Sequence, residues 1–393
     1  MQKVDYYAGI PLCFGFTLFD RIKKLIFPET VVQIKSILFI ELSEMGSAIL
    51  AYPTIKKAIS KVGKENVYFL IFKANKESVE VLNCLPEENI ITIDSSSFPT
   101  FAISGIKALL KIRKLNISAC LDLELFSRCT AMMSYISGAR LRAGYYNYTE
   151  EGLYRGELLT HKVYYNAGLH MSYNFLALFD SLYDTRNELP LIKKKIILED
   201  GSIPVYQPKQ ADLDNMKALL EKNKIEVDKH KLFILNPDPG LLSLRGWPKE
   251  NFAELAKLLL LKDPDNRVAV VGLKHSKEYF LFISNHCQDV RILDFTGQTA
   301  NLKELLALLS YSSCLITNDS GPAHMAALTR TKSLVLFGPE TPVRYAPLGD
   351  SSTSIFAGIA CSPCFSAANH RHSVCTNNVC MQEITVSEVY SKL

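Results

Sequence analysis

The chain alternates short apolar runs with longer amphipathic stretches, and it does so twice. Ile34 to Glu41, Val67 to Phe72, Ile90 to Ile93 and Ala119 to Leu123 have the length and composition of buried strands. Ala48 to Val62 and Ile103 to Leu115 lie between them as helices, the first with Pro53 near its first turn, where proline is tolerated. A second series follows. It has helices at Ala211 to Lys222, Phe252 to Leu261, Glu278 to Cys287 and Leu302 to Leu309, and strands at Leu232 to Leu235, Arg267 to Gly272, Cys314 to Ile316 and Ser333 to Phe337. Strands that alternate with helices predict doubly wound parallel sheets. The expected fold class is therefore α/β, with two such domains facing a cleft. The boundaries expected are an N-terminal segment 1–30, a first domain 31–195 and a second domain 205–393, joined by an extended linker near 200–208. A length of 393 residues also allows about two domains. The Tyr- and Gly-rich region Tyr145 to Tyr165 breaks the rhythm, and a helix near His170 to Leu182 closes the first domain.

One strand–turn–helix unit carries most of the chemistry. Cys314-Leu315-Ile316 stops at Thr317-Asn318-Asp319-Ser320-Gly321-Pro322-Ala323-His324, and a small-residue helix follows. Ligands of open α/β sheets bind at the carboxyl ends of the strands. A helix N-terminus there offers unpaired N–H groups and a positive dipole end, which suits a diphosphate. Ser320 can add a hydroxyl donor, Gly321 admits a phosphate close to the backbone, and His324 can reach the same anion. A plain helix cap made by Asp319 or Ser320 is the competing reading.

The net charge of +4 is small for the length and gives no case for nucleic acid as a partner. Six of the ten cysteines are scattered singly, mostly in apolar runs where a thiol acts as a small hydrophobe. Without a signal peptide pattern the expected compartment is a reducing cytoplasm. Ala8 to Phe19 is uncharged, and Asp20 to Phe27 mixes basic and apolar residues. The uncharged run is too short to span a bilayer. Phe14, Leu18, Arg21 and Leu25 fall at helical spacing with Lys23 and Lys24 nearby. Two readings stand side by side: a helix lying peripherally on the inner membrane surface, or an extra helix packed on the protein body.

Several motifs, in order, resemble glycosyltransferase family 9, the heptosyltransferase-like enzymes of bacterial surface polysaccharides. They are Ile37 to Gly46, Asn236-Pro237, Arg245-Gly246-Trp247-Pro248, Phe295 to Thr299, Asn318 to His324, Phe337-Gly338-Pro339, and Cys361-Ser362-Pro363-Cys364 with Cys380-Met381. The resemblance covers about Ile34 to Leu393. It implies the GT-B fold of two Rossmann-like domains, with the donor bound mainly by the second and no metal or cofactor for catalysis. It places Asp319, Ser320, Gly321 and His324 at the donor's diphosphate and sugar, and Asn236 and Gly240 in the loop beside them. Arg245 stands where a basic residue meets donor phosphate, and its planar five-donor fork suits that anion. Trp247 reads as a packing residue rather than a stacking platform.

The first loop departs from the family. Members place Asp, which deprotonates the acceptor hydroxyl, directly after the loop glycine; here Gly46 is followed by Ser47. A neutral hydroxyl is no base near neutral pH without help. Three readings stay open. A displaced carboxylate takes over, Glu44 first, with Glu41, Asp122 and Glu124 as other acceptor-side candidates; or no protein base is used; or catalysis is lost and a nucleotide-sugar or glycan-binding protein remains. A sugar-nucleotide epimerase fits the motifs less well.

Cys361, Cys364, Cys375 and Cys380 bracket His370 and His372. In an intracellular protein this pattern suggests a structural zinc, although the second pair is wider than the usual spacing. The expectation is thus a sugar transferase using a nucleotide-diphosphate donor, ADP-heptose or another, and a glycan or lipid-linked acceptor such as lipopolysaccharide.

Overall fold

The computed structural model describes residues 2–26, 32–125, 127–146, 153–184, 186, 188–198, 203–366 and 371–393. The chain divides into two compact units, Met1–Asp200 and Gly201–Leu393.

The first unit runs α1 (Gln2–Ile26), β1 (Ile37–Ile40), α2 (Met45–Leu50), α3 (Tyr52–Val62), β2 (Val67–Phe72), α4 (Glu77–Glu80), β3 (Ile90–Ile93), α5 (Phe98–Lys114), β4 (Ala119–Asp122), α6 (Arg128–Ile136), β5 (Leu141–Tyr145), β6 (His161–Val163) and α7 (Met171–Ser181). Its sheet order is β3-β2-β1-β4-β5-β6, and every pairing is parallel. All four residues of β1 are buried, because helices cover both faces of a parallel sheet. Leu38, Ile40, Leu70, Ile91 and Cys120 pack with Ala108 and Ile112 of α5 and Met133 of α6 in one cluster. Hence α5 and α6 lie on the same side of the sheet.

The second unit runs α8 (Gln210–Lys222), β7 (Lys231–Asn236), α9 (Lys249–Lys262), β8 (Asn266–Gly272), α10 (Lys277–Cys287), β9 (Ile292–Thr296), α11 (Leu302–Ser310), β10 (Cys314–Asn318), α12 (Gly321–Leu328), β11 (Ser333–Phe337), α13 (Pro342–Tyr345), β12 (Ser352–Phe356), α14 (Val379–Gln382) and α15 (Val386–Ser391). Its order, β12-β11-β10-β7-β8-β9, repeats that of the first unit. In each sheet the first and fourth strands lie side by side, and there the chain's winding reverses. That reversal opens a crevice at the strand ends, the usual ligand position in this topology.

Three expectations need adjusting. The helix expected over Ala48 to Val62 is two helices broken at Ala51, with Pro53 entering the second, where its missing N–H leaves no bond unmade. The strands β5, β6, β9 and β12 were not anticipated. Of these, β6 and β12 are edge strands with polar residues and lack an apolar run. The N-terminal helix begins already at Gln2 and passes through Pro11.

Candidate functional site

In the second unit the crevice lies between the ends of β7 and β10. Asn236 closes β7 and Asn318 closes β10, and both are buried. The Asn236 amide donates to Thr317 Oγ1 at 3.0 Å and to Ser320 Oγ at 3.2 Å. The Asn318 amide donates to the Pro237 carbonyl at 2.8 Å and accepts from Trp247 N–H at 2.9 Å. Two amides thus clamp the β7 loop, the Arg245–Trp247 segment and the β10 turn together. Trp247 is buried, donates from its ring nitrogen to the Ile384 carbonyl at 2.8 Å, and meets Phe252 edge-on. It is a packing residue; truncation to Ala costs about 3–5 kcal/mol at such a site.

Ser320 occupies the N-cap position of α12, yet its side chain makes no capping bond. Its hydroxyl is committed to Asn236 and Thr317. The plain-cap reading therefore does not hold for Ser320. A Cβ built on Gly321 meets nothing within 4 Å, so the backbone faces open space there. Arg245 lies over this turn. Its Nε is 3.4 Å from Asp319 Oδ2, and its Nη1 donates to the Asp319 carbonyl. A guanidinium held beside a helix start without a side-chain cap can hold an anion. His324 is buried in the first turn of α12. Gly240 adopts a positive φ of 65° in the β7 loop, and its N–H donates to Asp238.

Glu340 belongs with this group and sequence reasoning missed it. It is buried just beyond β11, bonds Arg344 at 2.7 Å, and burial pushes its carboxyl up to about 7 against the pull of Arg344. Asp319 lies close enough to raise it further. The available signal was an acid directly after the apolar Phe337-Gly338-Pro339 turn.

In the first unit the crevice lies between β1 and β4 and is lined by carboxylates. Asp122 is fully buried, with Arg155 Nη1 3.8 Å away, and burial lifts its pKa to about 7 against that cation. Glu124 Oε1 accepts from the N–H groups of Leu42 and Ser43 and from the Ser43 hydroxyl. These bonds make it a staple for the first loop, although burial and Glu44 raise its pKa. Glu41 is buried and raised well above the usual range, first by desolvation and then by Glu124 and Glu44. Glu44 alone of these four is partly exposed, and Ser47 Oγ donates to its Oε2 at 2.7 Å. Gly46, beside it, is also partly exposed. Arg155, which binds the carbonyls of Tyr145 and Glu124 and organises this corner, carried no sequence signal.

The cysteine-rich segment folds onto the end of β11. Ser362 Oγ donates to the Gly338 carbonyl at 2.5 Å and Cys364 N–H to that of Pro339 at 3.0 Å. A Cβ on Gly338 would sit 2.4 Å from Met381 Sδ and 3.0 Å from Cys380 Sγ, so Cys380-Met381 packs directly beneath the turn. Burial raises the Cys380 thiol, and Cys364, Cys361 and Cys375 lie near enough to raise it further. Among the described residues no group of three or more His, Cys, Asp or Glu is placed to hold a metal ion. His370 lies outside those residues. Packing beneath the Gly338 turn accounts for the buried position of Cys380.

Comparison with known proteins decides the family. The sequence pattern of glycosyltransferase family 9 (heptosyltransferase) matches residues 162–374. The chain belongs to glycosyltransferase family 9. The lipooligosaccharide heptosyltransferase 2 of Haemophilus influenzae is 26% identical over 170 residues, which is 42% of this chain and 48% of that protein. The lipopolysaccharide heptosyltransferase 2 of Escherichia coli is 30% identical over 112 residues, 28% of this chain and 31% of that one. The chain spans about half the length, or less, of these curated relatives. Among solved structures, the E. coli ADP-heptose lps heptosyltransferase II has a TM-score of 0.65 at 17% identity, covering 91% of this chain and 97% of that one. A family 9 glycosyltransferase from Veillonella parvula has a TM-score of 0.71 at 15% identity, covering 92% and 97%. At such identity the likeness is one of fold, and it is the two-domain GT-B fold. In this family 9 chain the motif residues Asn236, Arg245, Asp319 and Ser320 form one bonded group, with Gly321 continuing from it.

Proposed function

We propose that this family 9 protein is a glycosyltransferase that moves a sugar from a nucleotide-diphosphate donor to a glycan acceptor of the lipopolysaccharide type. The observation that carries the donor side is Arg245 held against Asp319 beside the uncapped start of α12. Arg245 and the α12 backbone would bind the diphosphate. Asp319 would fix the guanidinium and, with His324, face the sugar. Asn236 and Asn318 hold these parts in place. The relatives named as heptosyltransferases make ADP-heptose the first donor to test.

The first unit would supply the base. Asp122 is committed to Arg155, Glu124 to the loop backbone, and Glu41 is sealed from solvent. That leaves Glu44. The Ser47 hydroxyl donates to it, so a carboxylate stands beside the position that holds Asp in the family pattern. Glu44 would take the acceptor hydroxyl proton as the oxygen attacks the anomeric carbon and the nucleotide diphosphate leaves. The acceptor is read as lipid-linked, with the protein at a membrane surface.

The test is turnover. Incubation with ADP-heptose and other nucleotide sugars should release nucleoside diphosphate only when a lipopolysaccharide-core acceptor is present. Tight donor binding without release would show a binder instead, and a changed sugar on recovered nucleotide would show an epimerase.

A further inference from the structure

The N-terminal helix has two faces with different tasks. Its inner stripe is Asp5, Gly9, Cys13, Phe16, Thr17 and Asp20, spaced for one side of a helix. Asp5 accepts from the backbone N–H groups of Arg128 and Cys129 at the start of α6. A Cβ on Gly9 would sit 2.8 Å from the Arg128 side chain, so the helix needs glycine there. Thr17 accepts from Glu157 N–H, Phe16 meets the Tyr135 ring at 5.7 Å, and Asp20 also bonds Tyr135. The outer stripe carries Tyr7, Ile10, Phe14, Leu18, Ile22 and Leu25, all exposed, Leu25 at 87%. Both acids of the helix thus turn inward, while Arg21, Lys23 and Lys24 stay exposed.

Helix α5 repeats this sorting. Ile103, Ile106 and Leu110 form an exposed row, Ile106 at 60%. Lys107, Lys111, Arg113 and Lys114 are exposed beside it, and the helix contains no acid. Glu88, whose carbonyl accepts from Lys111, is an acid close to this row. Arg113 donates to the Ile136 carbonyl at the end of α6, one residue from the Tyr135 ring that meets α1. Both helices therefore meet α6 near its C-terminal end. Their basic ends both lie toward the C-terminus of α6.

We propose that α1 and α5 together form the surface by which this protein lies on an anionic phospholipid bilayer. The proposal rests on the membrane reading above and extends it to α5. Exposed apolar rows bordered by cations, with the acids of α1 turned inward and none on α5, match the acyl and headgroup layers of such a surface. A second copy of the chain would gain the apolar contact but would set like charges against each other.

The experiment uses the full chain and flotation with vesicles of phosphatidylcholine, with and without phosphatidylglycerol. Wild type should float with the anionic vesicles, and added salt should weaken it. Ile106→Glu with Leu110→Glu in α5 should lower partitioning about tenfold or more, as should Phe14→Glu with Leu18→Glu in α1. Unchanged melting and nucleotide-sugar binding would show that both variants fold. If the α5 variant floats like wild type, the two-helix surface is wrong and α1 alone remains. Equal flotation with neutral vesicles would also overturn it. So would a wild-type dimer on size-exclusion that both variants dissociate, because the face would then be a homodimer interface. Failure of sugar transfer to a soluble acceptor would sink the enzymatic reading and leave the flotation result standing.

Discussion

The two units share one strand order but carry opposite chemistry at the same topological place. Between β1 and β4 the strand ends present Glu41, Glu44, Asp122 and Glu124. Between β7 and β10 they present Arg245, two clamping amides and an uncapped helix start. One set can accept a proton and the other can hold an anion. Topology fixed where each crevice falls, because winding reverses there in both sheets. Side chains alone decide which chemistry each crevice offers. The comparison also shows why burial matters: Glu41, Asp122 and Glu124 are buried, and Glu44 is the one of these four carboxylates that stays partly exposed.

The largest effect expected tests that selection. Glu44→Gln should lower turnover about 10²–10⁴-fold, the usual range for a positioned base, and leave donor affinity nearly unchanged. Adding Ser47→Asp to that variant should restore part of the rate, since it returns a carboxylate to the loop position used in the family. A Glu44→Gln variant with wild-type turnover would break the contrast. The anomeric configuration of the product would then direct the search, inversion toward Glu41, Asp122 and Glu124 and retention toward a mechanism without a protein base.

On the anion side the effect should be smaller and should appear in binding. Arg245→Ala, Asp319→Ala and His324→Ala should each weaken nucleotide-sugar binding about tenfold or more, as loss of a charge-assisted contact costs about 1.5–3 kcal/mol. Gly321→Ala is the sharper probe. The free protein has room for the methyl group, so melting should not change, yet the added carbon would stand where a phosphate approaches. Calorimetry showing full affinity in Gly321→Ala would move the diphosphate away from α12.

Both units hold a buried acid beside an arginine with its pKa near neutrality, Asp122 with Arg155 and Glu340 with Arg344. Each acid binds its proton more tightly folded than unfolded. The native state therefore carries more protons between about pH 4 and 7, and stability falls as pH rises through that window. Asp122→Asn and Glu340→Gln cannot lose that proton. Melting temperature measured at pH 5 and pH 8 should drop less in each variant than in wild type. A parallel drop would show that these acids are already ionised at pH 5.

Most of the strand plan was legible because parallel strands buried on both faces leave continuous apolar runs, as in β1 and β10. The edge strands β6 and β12 were not, since each has one side toward solvent and reads as polar, and β5 and β9 were missed as well because Arg142 and Asp294 interrupt their apolar runs. The donor motif was legible as a string, but its clamp was not. Asn236 and Asn318 are 82 residues apart in sequence, and only the adjacency of β7 and β10 brings their amides to one loop cluster. Among the four carboxylates of the first unit the sequence put Glu44 first by its place in the loop, but the burial that separates it from Glu41, Asp122 and Glu124 is visible only in the fold. The N-terminal helix offered two readings, a packed helix and an interfacial one. Its inner stripe is packed on α6, and its outer stripe is the subject of the bilayer test.

The smallest effect concerns the four cysteines, where a metal site and a packing role make opposite forecasts. A site of four thiolates would lose its ion when any one is replaced, so all four substitutions would cost alike. Packing predicts inequality. Cys380 is buried under the Gly338 turn, so Cys380→Ser places a hydroxyl in an apolar gap and should cost about 1–3 kcal/mol. Cys375 is only partly buried and bonds the Asn377 carbonyl through sulfur, a role that serine can fill. Cys375→Ser should stay within about 0.5 kcal/mol of wild type. Denaturant melts of the two variants decide the matter, with metal analysis of the purified chain alongside. Equal losses together with one bound ion per chain would restore the metal site and show that these thiols close around an ion. Unequal losses without metal would leave the segment as a prop for the turn that carries Glu340 toward Asp319.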